Sequence, residues 1–204
     1  MEKIVLGGDL LRELEAIYAG LQREYERVAA NLDFTCAGCP DNCCDSYFQH
    51  HTYLEWTYLW LGLRDLSAHH VGEIVEKSKE WLDSCNAALA QDRRPQVMCP
   101  LNKDGLCRLY THRLLVCRTH GVPAILTRPD GKTLQFPGCF RCQEIVVGKF
   151  SGAAGANVPC VNRTVYLHRL AALENRLLGN RREQLPKVKM TIAEMIVSGP
   201  PLIP

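Results

Sequence analysis

The chain has 204 residues, of which 47% are hydrophobic and 23% charged, and its formal net charge is +2. That composition belongs to a folded protein with a sizeable core, and the charge is too small to draw it to nucleic acid or to a membrane surface. No apolar run approaches the roughly 20 residues of a membrane span, and Met1-Glu2-Lys3-Ile4-Val5-Leu6-Gly7-Gly8 is too short an apolar stretch for a signal peptide. A cytoplasmic chain, a single domain over 1–204, is therefore expected.

Taken in order, the elements read as mainly helical. Asp9 can cap a first helix over 9–31, whose stripe is Leu10, Leu14, Ile17, Leu21, Tyr25, Val28 and Leu32. Residues 33–51 lose this period. Thr52-Tyr53-Leu54-Glu55 has the spacing of a capping box and opens a helix over 53–64 with Trp56, Leu59, Trp60 and Leu63 inward. A third helix is expected over 71–91, with Cys85 on its buried stripe as a core thiol. A short helix is expected over 107–117. A hairpin should follow, turning at Pro129-Asp130-Gly131 between 122–127 and 132–136. Ile145-Val146-Val147 reads as strand-like, and 151–156 as a loop. Asn162 should cap a helix over 162–178 carrying Val165, Tyr166, Leu170, Ala171, Leu177 and Leu178, with Gly179 ending it. Thr191-Ile192-Ala193-Glu194 repeats the capping-box pattern before a last short helix, so a C-terminal helical segment spans about 162–198.

Eleven cysteines need a physical account. Their odd number and the missing export signal argue against a disulfide framework and for metal or redox chemistry. Cys36-Ala37-Gly38-Cys39 is a C-x2-C knuckle that can aim two sulfurs at one metal, and Cys43-Cys44 follows within a few residues. Thiols packed this tightly are a reactive hazard unless a metal takes them as thiolates. Adjacent side chains diverge, so Cys43 and Cys44 point to a polynuclear centre, two neighbouring metals, or one ligand and one thiol left over. Lys103-Asp104-Gly105 is a turn that can bring Cys99 and Cys107 together. Cys117 lies downstream, and Cys139-Phe140-Arg141-Cys142 is a second knuckle. The expected ligands are thus Cys36, Cys39, Cys43, Cys99, Cys107 and Cys117, followed by Cys44, Cys139 and Cys142, in a metal-binding core spanning about 36–142. Arg113 and Arg118 are placed to hydrogen-bond cluster sulfurs or to hold an anionic substrate. His50, His51 and His120 lie near the cysteine groups as minor ligands, while His69, His70 and His168 show no metal spacing.

The run of Cys36, Cys39, Cys43 and Cys44, then Cys99-Pro100-Leu101, Cys107, Tyr110, Arg113 and Cys117-Arg118, resembles the cysteine-cluster proteins of the YkgJ family, which carry a zinc- or iron-chelating domain. Leu114 stands where that family usually has proline, and Asn102 where it often has leucine; neither departure touches a thiol. The resemblance implies a metal centre, and relatives that are flagellin lysine methylases imply a possible methyl-transfer role.

Four functions follow as expectations. The first is an iron–sulfur centre, 4Fe–4S being one form, supporting redox or group-transfer chemistry, since thiolate-only sets hold such clusters. The second is a structural zinc module for an unidentified substrate or protein partner. The third is a protein lysine methyltransferase, with Gly152-Ala153-Ala154-Gly155 after Ile145-Val146-Val147 as its weak methyl-donor signal. The fourth is a thiol–disulfide oxidoreductase, which lacks the strand-to-helix setting its motif needs. The fold expected throughout is mainly α with a small β-hairpin, stapled by the cysteine-rich metal centre.

Overall fold

The computed structural model describes residues 2–37, 39, 43–150 and 157–203, with the side chains of Glu2, Cys43 and Ile203 outside that description. In chain order its strands and α-helices are β1 (Glu2–Lys3), α1 (Gly8–Leu32), α2 (Tyr53–Arg64), α3 (Ala68–Leu89), β2 (Asn102–Lys103), β3 (Leu106–Cys107), α4 (Leu115–Thr119), β4 (Ala124–Thr127), β5 (Thr133–Phe136), α5 (Phe140–Phe150), β6 (Val161–Asn162), α6 (Thr164–Leu178), α7 (Ile192–Val197) and β7 (Leu202–Ile203). The protein is mainly α, and its described residues form three small sheets: β1 with β7, β2 with β3, and β5-β4-β6. The chain forms two compact units. The first comprises Met1–Leu10, Cys44–Leu114 and Leu173–Pro204, and the second Leu11–Cys43 and Leu115–Ala172.

In the first unit, Thr52 caps α2 by accepting the Glu55 amide. A distant residue completes the cap: the buried Glu174 carboxylate accepts the amides of Tyr53 at 2.9 Å and Leu54 at 2.8 Å. Two more of the orphan donors that every helix start presents are thereby satisfied. α2 buries Tyr53, Leu54, Tyr58, Leu59 and Leu63, while Trp56 and Trp60 are half-buried and donate their indole N–H groups to the Met195 carbonyl at 3.0 and 2.9 Å. α3 begins at Ala68, earlier than the apolar stripe suggests, because Ser67 caps it through the His70 amide. Cys85 is buried in a cluster with Trp81 and Ala193, as expected of a core thiol. α7 carries the full Thr191/Glu194 capping box. The region 107–117 is not one helix: a 3-10 turn at Tyr110–His112 ends where Arg113 becomes extended, and α4 starts at Leu115.

In the second unit, α1 buries Leu14, Ile17, Tyr18, Leu21, Val28 and Leu32. It stops at Asp33, whose φ is 52°, with the Asp33 amide donating to Ala30 O and the Phe34 amide to Ala29 O. This double bond closes the helix end. The β4–β5 hairpin pairs Ala124 with Phe136 and Thr127 with Thr133, turning through Gly131 at φ 81°. β6 adds in parallel, Ala124 opposite Val161. Ile145, Val146 and Val147 are helical, on α5, rather than strand-like. Asn162 lies on β6, yet its side chain still accepts the Thr164 amide at 3.0 Å at the start of α6. Val165 and Ala171 are exposed on α6, and Leu170, Leu173, Leu177 and Leu178 are buried.

Candidate metal centre

Among the described cysteines none forms a disulfide. Their thiols gather in each unit by contacts between distant parts of the sequence.

In the first unit the set is Cys44, Cys99 and Cys107. The Cys99 amide donates to the Cys44 carbonyl at 2.9 Å, and the Asn102 amide to the Cys99 carbonyl at 2.9 Å. β2 and β3 then fold back, Asn102 opposite Cys107. Asp104 at φ 52° and Gly105 at φ 84° make the tight turn, and Asn102 Oδ1 accepts the Gly105 amide at 3.1 Å. This is the turn that the sequence places between Cys99 and Cys107. Burial pushes the Cys107 thiol up; the Leu109 amide pulls it down, Cys44 pushes it up again, and Arg113 pulls it down. Arg113 is positioned by its own turn, its Nε donating to Tyr110 O at 3.2 Å and its guanidinium lying 3.8 Å over the Tyr110 ring. A cation beside a buried thiol favours the thiolate that a metal needs.

In the second unit the set is Cys36, Cys39, Cys139 and Cys142. Cys36-to-Cys39 is a hydrogen-bonded turn, the Cys39 amide donating to Cys36 O at 3.1 Å. Cys139 and Cys142 stand at the start of α5, with the Gln143 amide donating to Cys139 O. The unpaired amides of a helix start favour thiolates. Burial opposes them and wins at Cys142, which is 0% exposed and is pushed up to about 11, with Cys139 and Cys36 adding to the shift. Arg141, inside the second knuckle, hydrogen-bonds the Cys39 sulfur and also feels Cys139 and Cys36, which raises its own pKa. Its Nη1 is buried, with no hydrogen-bond partner among the described residues. The Tyr25 hydroxyl lies 3.6 Å from Cys36 Sγ.

Two glycines draw this set together. The Cys139 amide donates to Gly121 O at 3.1 Å. A Cβ on Gly138, φ 86°, would stand 2.7 Å from Gly121 O, and one on Gly121, φ 118°, would stand 2.8 Å from the Tyr25 hydroxyl. The backbone crossing therefore requires glycine on both sides.

Of the other expected residues, Cys117 lies half-buried on α4 in the second unit, and the Arg118 guanidinium sits 4.5 Å over the Tyr18 ring. The side chain of Cys43 falls outside the described residues, as do Gly38 and the glycine-rich stretch 151–156. Cys160 is half-buried and close enough to Arg27 to raise the arginine's pKa slightly among its several causes. His50 is 2% exposed; neither ring nitrogen has a hydrogen-bond partner among the described residues, and the Glu55 carboxylate is 3.9 Å away. At that distance the pair makes no hydrogen bond. Burial, helped by His51, holds His50 down to about 4.

Arg141 and Tyr25 are the site residues that sequence reasoning missed. The signal for Arg141 was a guanidinium inside the knuckle. Tyr25 was read as core on the α1 stripe, and nothing local ties it to a sulfur. His69 and His70, read from sequence as showing no metal spacing, come with Glu73 to place one donor atom each within 4.8 Å of one another.

No family model, curated protein or solved structure matches the chain. No helix among the described residues is long and apolar enough to cross a membrane.

Proposed function

We propose that this chain is a metal-binding protein whose cysteine thiolates hold an iron–sulfur centre, with zinc as the alternative, as its resemblance to the YkgJ family implies. The observation that carries this reading is the meeting of two C-x2-C knuckles from opposite ends of the second unit around one arginine. Four thiols in one neighbourhood repel as thiolates, and burial penalises each of them. A metal removes both penalties by replacing the protons. The buried Nη1 of Arg141, which has no partner among the described residues, fits the same account, because a thiolate-ligated centre is an anion that supplies an acceptor.

A donor set made of thiolates is how iron–sulfur clusters are held, which favours a cluster over a single ion. Cys44, Cys99 and Cys107, with Arg113, supply a comparable donor group in the first unit. When bound, such a centre supplies one-electron transfer or a Lewis-acidic iron. In this chain Arg141 holds the Cys39 sulfur, Tyr25 faces Cys36, and burial of Cys142 keeps water from the ligand. Unpaired thiols in this number suit the reducing cytoplasm. Iron, sulfide and zinc analysis of anaerobically purified protein, with its visible spectrum, tests the proposal. Stoichiometric iron and sulfide with thiolate-to-iron absorption are expected. Colourless protein with stoichiometric zinc replaces the cluster by zinc, and protein that takes up neither overturns the reading.

A further inference from the structure

The first turns of α3 carry three ligating side chains that the thiol chemistry does not use. His69 and Glu73 are four residues apart and share a helix face; His69 Nδ1 lies 4.0 Å from Glu73 Oε1. The His69 and His70 rings meet edge to face with centroids 5.8 Å apart. One donor atom from each of His69, His70 and Glu73 falls within 4.8 Å of the other two. The carboxylate is held from behind: Arg108 Nη1 donates to Glu73 Oε2 at 2.9 Å, and the Arg108 side chain is only 14% exposed, so it is a fixed anchor. Glu73 Oε2 is thus engaged while Oε1 faces His69. The His69 side chain is 79% exposed, so an ion reaches the group from solvent without rearrangement.

We propose that His69, His70 and Glu73 form a solvent-facing site for a divalent first-row transition ion such as zinc, nickel or copper. Two imidazoles and one carboxylate are borderline donors that suit these ions better than magnesium or calcium, which take oxygen sets. Three protein ligands leave the remaining positions to water. A carboxylate ligand that is itself hydrogen-bonded is the usual outer support of such a site, and Arg108 provides it. The charge of Arg108 and the positive end of the α3 dipole both repel a cation, so the ion exchanges readily. The Glu73 carboxylate offsets part of that repulsion.

Equilibrium dialysis against micromolar nickel(II) tests this, comparing the wild-type chain with H69A/H70A. Nickel on the thiols is common to both proteins and cancels, so the result does not depend on the iron–sulfur reading. Wild type is expected to bind one more nickel per chain than the double variant. In the wild type, nickel is expected to broaden the ring proton signals of His69 and His70 before those of the other histidines. Equal nickel in the two proteins, or earlier broadening elsewhere, overturns the site. Both histidines are exposed, so the variant keeps its fold.

Discussion

The two thiol sets reach their places by different routes. In the first unit a tight turn at Asp104-Gly105 folds Cys107 back toward Cys99, and one backbone hydrogen bond adds Cys44. In the second unit, two knuckles far apart in the sequence meet because backbones cross at Gly121 and Gly138 beside Tyr25. A short turn closes at little entropic cost, whereas a long closure needs packing to offset it. The packed set buries one thiol, Cys142, completely, and burial pushes it up to about 11. It carries its compensating cation inside the knuckle, while the first set borrows Arg113 from the next turn. Burial and charge supply go together, because a thiolate cannot be buried without a cation or a metal beside it.

The largest effect should come from removing ligands in pairs. C139A/C142A and C99A/C107A are each expected to lose metal, measured by elemental analysis, and several kcal/mol of stability. The scale is set by structural zinc, worth roughly 10–16 kcal/mol in finger peptides. C139A/C142A should lose more, since it also empties a buried position. Full metal content in both variants would break the comparison altogether.

Acid should separate the units next. The first unit buries His50, held down to about 4 by burial; in the second, His120 is half-buried and His168 exposed. Above pH 6.5 His50 is neutral folded and unfolded, so its contribution is fully present. Between about 6.5 and 4 the unfolded chain takes up the proton and the folded chain does not, so stability falls by about 3 kcal/mol in all. His50→Phe should flatten this loss in urea titrations of the metal-free protein at pH 7 and pH 5. An unchanged pH slope would remove His50 as its cause.

Glycine substitutions then test the two routes directly. Gly138→Ala meets both a positive φ and a carbonyl oxygen at 2.7 Å, and is expected to cost about 3 kcal/mol. Gly105→Ala meets a φ of 84°, and is expected to cost about 1 kcal/mol. Denaturant midpoints give both values, and equal costs would mean that the crossing is no tighter than the hairpin.

The smallest effects belong to the cations. Arg141→Met is expected to weaken metal binding roughly tenfold by removing the hydrogen bond to Cys39, and Arg113→Met by less, because Arg113 acts on Cys107 only through its charge. Competition with a chelator measures both, and the reverse order would show that the arginine of the first unit matters more.

Much of the helical frame was legible from short patterns. The α1 stripe, the caps at Thr52 and Thr191, the Gly131 hairpin and the Asp104-Gly105 turn all follow from residues within a few positions of one another. Failures came where a local pattern had two readings. Ile145-Val146-Val147 suits a strand by composition but lies on α5, and the apolar start at Val71 hid the Ser67 cap. The single helix expected over 107–117 breaks because Arg113 is extended. β6 was invisible, since two residues carry no period and its partner β4 is distant.

By itself the sequence determined the long helices, the caps at Thr52 and Thr191 and the two knuckles, because propensity, capping and turn geometry act over one or two turns of chain. Only the tertiary structure decided which thiols share a neighbourhood, that Arg141 and Tyr25 face them, that Glu174 closes α2, and that His50 is sealed from water. Those outcomes depend on which distant surfaces bury one another, and packing of whole faces, unlike a cap or a turn, leaves no mark at any single position.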